Sequence, residues 1–142
     1  MKHFFVDTNV IIDVISDRKP FSQSAAILFD YSEKRKIKLF VSALSYSHIY
    51  YIVKKITSHK EMLKILRDLE SVTETLDVTK EIIAASLHTG FKDFEDAIQY
   101  NTACSNKKVN AIITRNGKDY KSSNLPVLTA EEALSIIESR GE

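Results

Sequence analysis

His3-Phe4-Phe5-Val6-Asp7-Thr8-Asn9 is the stretch that decides the fold. Its apolar run is short and ends abruptly at a carboxylate, so it reads as a buried first strand. Asp7 then stands at that strand's carboxyl end. Thr8 and Asn9 can fix it there by short side-chain hydrogen bonds. An Asx-turn followed by a helix cap would account for the same residues.

Working outward, strands and helices alternate. Asn9 can cap a short helix from Val10 to Ser16, and Pro20-Phe21 open a second helix to about Lys36, with Ala25, Ala26, Leu28 and Phe29 towards the core. Proline suits a first helical turn, where the N–H it lacks would have no partner. Lys38 to Val41 is the second strand. Ser42 caps a helix from Ala43 to about Ile56, and the Ser58-x-x-Glu61 capping box opens another to about Leu69. Glu74 to Val78 is the third strand. Thr79 caps a helix ending near Gly90, and Asp93 caps one from Phe94 to about Lys107. Ala111 to Thr114 is a short apolar strand, Asn116-Gly117 a turn, and Val127-Leu128 a last strand. A second capping box, Thr129 with Glu132, starts the terminal helix through about Ser139. Such alternation implies an α/β fold: a parallel sheet of about five short strands flanked by helices in three layers.

Composition bounds the rest. A chain of 142 residues fits one domain, expected to span 1–142. Hydrophobic residues at 44% and charged residues at 27% exclude a disordered chain. A net charge of +1 argues neither for nor against nucleic acid. The single cysteine, Cys104, excludes a disulfide framework and a cysteine-rich zinc site, and a reducing cytoplasm is the natural compartment. Cys104 itself reads as a core residue. There is no signal-peptide pattern and no apolar run near the roughly 20 residues a membrane helix needs, so no membrane partner is expected.

In an open parallel sheet the site lies beyond the carboxyl ends of the strands. That edge collects Asp7, Thr8 and Asn9, then Ser42, then Thr114 to Asp119. Asp93-Phe94-Glu95-Asp96-Ala97 can reach it too. Asp93 explains itself as a cap, Glu95 falls on a solvated face, and Asp96 sits in a first turn where the helix dipole favours an acid. Asn116 and Asp119 come from the turn after a buried strand. Each signal alone has a plain structural explanation. Together they bring Asp7, Asp96 and Asp119 to one edge. Clustered carboxylates raise one another's pKa, and a bound Mg²⁺ or Mn²⁺ relieves the repulsion. Such an ion can lower the pKa of a water and stabilise charge on a phosphodiester, which points to phosphoryl chemistry on nucleic acid.

These motifs resemble those of PIN-domain nucleases. Val6-Asp7-Thr8-Asn9, Asp96-Ala97-Ile98 with Ala103, and Ile113-Thr114-Arg115-Asn116 with Asp119-Tyr120 occur in that family's order and separations. The length resembles a compact VapC-type toxin. The resemblance implies an endoribonuclease using Mg²⁺ (or Mn²⁺), with water activated by the ion hydrolysing RNA. Asp7 and Asp96 would be metal ligands. Asp119, with Asn116, would hold metal or the attacking water. Thr8 and Thr114 would support the acids, and Asn9 would orient Asp7. A small antitoxin and a homodimer are implied in the same way.

The resemblance has one departure. The family usually carries a Glu on the helix after the second strand, and His48 stands in its place. Histidine suits Mn²⁺ or Zn²⁺ better than Mg²⁺. A partly buried, structural His48 beside Tyr50 and Tyr51 is the simpler reading, and Asp93 could move in to compensate. A rival function follows: a PIN-fold RNA- or protein-binding module with a weakened site. Arg115, Lys118 and Lys121 are the basic residues near enough to contact phosphate. Tyr46, Tyr50 and Tyr51 read as packing more readily than as a stacking surface. A haloacid-dehalogenase phosphohydrolase would need an acid at Asn9, and a response-regulator receiver would need an acidic pair and an Asp after the third strand.

Overall fold

A computed structural model describes residues 2–139; the outermost residues of the expected domain lie outside that range. Five strands form one parallel sheet in the order β3-β2-β1-β4-β5, with β1 Lys2–Val6, β2 Ile37–Ser42, β3 Glu74–Leu76, β4 Ala111–Ile113 and β5 Val127–Leu128. The connecting helices are α1 Thr8–Ile15, α2 Phe21–Glu33, α3 Ala43–Val53, α4 His59–Val72, α5 Lys80–Ser86, α6 Phe94–Cys104 and α7 Ala130–Ser139.

The two-residue period of the strands divides the core in two. Phe4 and Val6 of β1, Leu39 and Val41 of β2, and Ala111 and Ile113 of β4 face one cluster, under Ile11, Leu28, Ile49, Met62, Leu69 and Ile137. Phe5, Phe40 and Ile112 face the other, with Ala103, Val109 and Tyr120. Both faces of the central strands are thus covered, so these strands read as continuous apolar runs rather than alternating ones. Burying a Phe side chain fully is worth about 2–3 kcal/mol, so Phe4, Phe5 and Phe40 anchor the sheet's centre.

The central strand creates a crevice. The chain leaves β1 for β2 on one side and returns to β4 on the other, so the strand order reverses between β1 and β4. Val6 pairs with Ile113, and the Asp7 N–H donates to the Ile113 carbonyl at 2.9 Å. Asp7 and Thr114 therefore leave the sheet side by side, at a switch point of the kind where open parallel sheets bind ligands.

Several boundaries differ from the sequence reading. Helix α1 begins at Thr8, and its cap position is Asp7 rather than Asn9, because the chain turns directly from the strand into the helix. Helix α5 ends at Ser86, not near Gly90, and α6 ends at Cys104, not Lys107. After Val53 the chain tightens into a 3₁₀ turn over Lys54–Ile56. Cys104 is exposed, not core: the buried face of α6 runs through Ala97, Ile98, Gln99, Thr102 and Ala103, and Cys104 closes the helix beyond it. The caps at Ser42, Ser58, Thr79, Asp93 and Thr129 form as expected.

Candidate active site

Asp7 is only 4% exposed, yet its side chain does not cap α1. It is held by neighbours distant in sequence. Thr114 Oγ1 donates to Oδ2 at 2.8 Å, and Gln99 Nε2 donates to Oδ1 at 3.3 Å. Gln99 also donates to Thr8 Oγ1 at 2.9 Å, and the Thr8 and Ser45 hydroxyls are hydrogen-bonded at 2.7 Å. Thr114 Oγ1 accepts the Asn116 N–H at 3.1 Å, tying the turn after β4 to the same cluster. Four elements thus fix one carboxylate. Asn9 lines the pocket beside it, but the side chains that orient Asp7 are those of Thr114 and Gln99. Burial pushes the Asp7 carboxyl above its usual range despite these donors.

Asp96 enters from the first turn of α6. Asp93 accepts the Asp96 N–H at 3.0 Å, so Asp93 serves as the cap that sets the helix start. Partial burial, then the charges of Asp93, Asp7, Asp119 and Glu95, push Asp96 up to about 7. Asp119 lies on the exposed 3₁₀ turn Gly117–Tyr120, anchored by its N–H to the Asn116 carbonyl at 2.9 Å. Its charge reaches both Asp96 and Tyr120.

The pocket between α3 and α6 is lined by Asp7, Asn9, Ser45, His48, Glu95 and Asp96 among others, and holds about 60 Å³. That is room for a few waters or a small hydrated ion, not for a nucleotide, so a polymer would lie across the mouth. Among the described residues, no three His, Cys, Asp or Glu side chains converge tightly enough to hold a metal ion alone. The pocket's donors are the carboxylates of Asp7, Glu95 and Asp96, the hydroxyls of Thr8 and Ser45 and the amides of Asn9 and Gln99, with the His48 imidazole at the mouth. This set fits a hard cation that uses one or two carboxylates and keeps its waters.

Some site residues were missed or misjudged from sequence. Gln99 and Ser45 were not singled out, although a buried glutamine three residues after Asp96 on an otherwise apolar helix face is a readable signal. Tyr120 is 2% exposed, packs edge-on against Phe91, and its hydroxyl lies beside the Asp7 carboxylate, within reach of the charges of Asp96 and Asp119. Those charges and burial raise its pKa strongly. Glu95 is not simply solvated: it lines the pocket and pairs with His48 Nδ1 at 3.0 Å. Arg115 is engaged elsewhere, 2.6 Å from the buried Asp13 and stacked over Phe21; the contact is a close charge pair rather than an aligned hydrogen bond. Lys118 and Lys121 remain exposed on and after the Asp119 turn. Tyr46 and Tyr50 are tied to Thr75 and His59, leaving Tyr51 exposed.

Comparison with known proteins agrees with this architecture. Ribonuclease VapC1 of Aquifex aeolicus (strain VF5) is 29% identical over 133 residues, covering 90% of each chain. A DNA-bound VapBC structure from Salmonella typhimurium superposes with a TM-score of 0.67 at 17% identity, over 92% of this chain and 99% of that one. A toxin–antitoxin complex from Klebsiella pneumoniae gives 0.64 at 23% identity, over 89% and 96%. No described helix is long and apolar enough to cross a membrane. The PIN-domain family model matches residues 3–118, most of the chain, and the chain belongs to that family.

Proposed function

We propose that this protein is a divalent-metal-dependent endoribonuclease acting as the toxin of a toxin–antitoxin pair. The observation that carries the reading is Asp7: a nearly buried carboxylate at the sheet's switch point, held by donors from α6 and from Thr114, just after β4, rather than used as a cap. Nothing in helix capping requires that arrangement, and a carboxylate buried without a paired cation is costly, an arrangement found at functional sites. Similarity to ribonuclease VapC1 supports RNA as substrate, and the VapBC complexes support a protein antitoxin. A homodimer belongs to the same reading.

Asp7 and Asp96 would hold Mg²⁺ or Mn²⁺, with Asp119 contributing from the rim. Such an ion, when bound, supplies an acidified water and offsets charge on the phosphodiester. The chain's own residues do the rest. Thr114 and Gln99 keep both Asp7 oxygens in one orientation. Asp96 ionises near neutral pH and completes the negative pocket. Asn116 and Asp119, on one short turn, orient the attacking water. Lys118 and Lys121 meet the RNA backbone, while Arg115 braces the turn against Asp13.

A second reading is a PIN-fold binding module with a weakened site, favoured by the absence of any carboxylate on the α3 wall of the pocket. Incubating the purified, antitoxin-free protein with a labelled mixed RNA panel decides between them. Cleavage in Mg²⁺ or Mn²⁺ that EDTA stops supports the nuclease; uncleaved RNA that is nevertheless retained supports the binding module.

A further inference from the structure

The two side walls of the pocket differ in charge. Helix α3 contributes Leu44, Ser45 and His48, and α6 contributes Glu95 and Asp96. Glu95 is not left pointing freely into solvent. Its Oε1 lies 3.0 Å from His48 Nδ1, so the pair spans the pocket from α6 to α3. The Glu95 side chain stays 66% exposed, which puts the contact at the mouth rather than in the floor. A carboxylate on Nδ1 fixes the imidazole's orientation, and the imidazole in turn holds the carboxylate over the opening. The other acids are committed differently: Asp93 caps α6, and Asp119 stands on the turn after β4.

We propose that Glu95, presented by His48, is the outer carboxylate of the site and holds the hydrated divalent cation at the pocket mouth. His48 is a positioning residue: it supplies no charge to the cation and sets where Glu95 stands. This role rests on the metal-dependent reading above. It makes His48 part of a relocated acid rather than a lesion.

Calorimetric titration of the antitoxin-free full chain with Mn²⁺ tests it, with folding checked by circular dichroism. Asp7→Asn should abolish binding. Glu95→Gln should weaken it about tenfold and His48→Ala by less, in line with the loss seen when groups supporting a metal site are removed. Combining His48→Glu with Glu95→Gln returns a carboxylate to the mouth from the opposite wall and should bring affinity back to within about threefold of wild type. Glu70→Gln, on exposed α4 surface, is the control. Wild-type affinity in Glu95→Gln, with binding lost in Asp7→Asn, overturns the Glu95 role alone. A wild-type chain that takes up no Mn²⁺ overturns that role and the metal-dependent reading together.

Discussion

Replacing Asp96 by Asn should change how the protein's stability depends on pH. Partial burial and four neighbouring acids raise the Asp96 carboxyl from 3.8 to about 7. The folded chain therefore binds this proton more tightly than the unfolded chain. The proton's stabilising effect is complete below the unfolded value and is lost as pH rises through about 7. A shift of this size corresponds to roughly 4 kcal/mol at about 1.4 kcal/mol per unit. The side chain is partly exposed, and solvent screening reduces the figure to about 1–2 kcal/mol. About half of that falls between about pH 5.5 and 8, because the unfolded chain is already ionised at the lower value. Urea unfolding in EDTA should therefore show wild-type stability falling by about 0.5–1 kcal/mol across that interval, with a flatter profile for Asp96→Asn. Saturating Mg²⁺ should remove the wild-type fall, since a bound cation favours the ionised acids. Parallel profiles for the two proteins in EDTA would refute the claim that these acids strain one another.

Two further perturbations separate framework from chemistry. Arg115→Ala leaves Asp13, 1% exposed, with only Arg18 at 3.9 Å for a counter-charge, and should cost about 3 kcal/mol in urea unfolding, the low end for breaking a buried pair. An unchanged midpoint would show that the pair is not holding the turn after β4. Tyr120→Phe removes a buried hydroxyl that lies beside the Asp7 carboxylate, so the apo protein should lose about 1 kcal/mol in urea unfolding. Unchanged or higher apo stability would mean that the hydroxyl does not support Asp7.

The sheet was legible because its strands are bounded. Phe4-Phe5-Val6 and Ala111-Ile112-Ile113 are too short to be buried helices, and capping residues mark the starts of α3 to α7. Strand order was not readable, because it depends on which crossover passes which face. The site was legible where local sequence carries it, at Asp7 and Asp96. It was not legible where the fold supplies the partner. Gln99 meets Asp7 only because α6 packs beside β1, and Arg115, a surface turn residue by sequence, reaches back to Asp13 on α1. Alone, Glu95 reads as solvated and His48 as a partly buried structural residue; only the pairing of α3 with α6 across the pocket gives them a shared role. Cys104 misled because helical periodicity predicts a face and not where the covering layer stops.

The central claim is that Asp7 is held for chemistry and not for structure. Single-turnover cleavage of a labelled RNA panel in Mg²⁺ and in Mn²⁺, comparing wild type with Asp7→Asn, tests it directly. The substitution keeps the shape of the side chain and one acceptor for Thr114, so the variant should fold. Wild type should cleave in a metal-dependent way and the variant should lose about a hundredfold or more, the scale expected when a charge-stabilising group is removed from a catalytic site. Equal cleavage by the two folded proteins would contradict it.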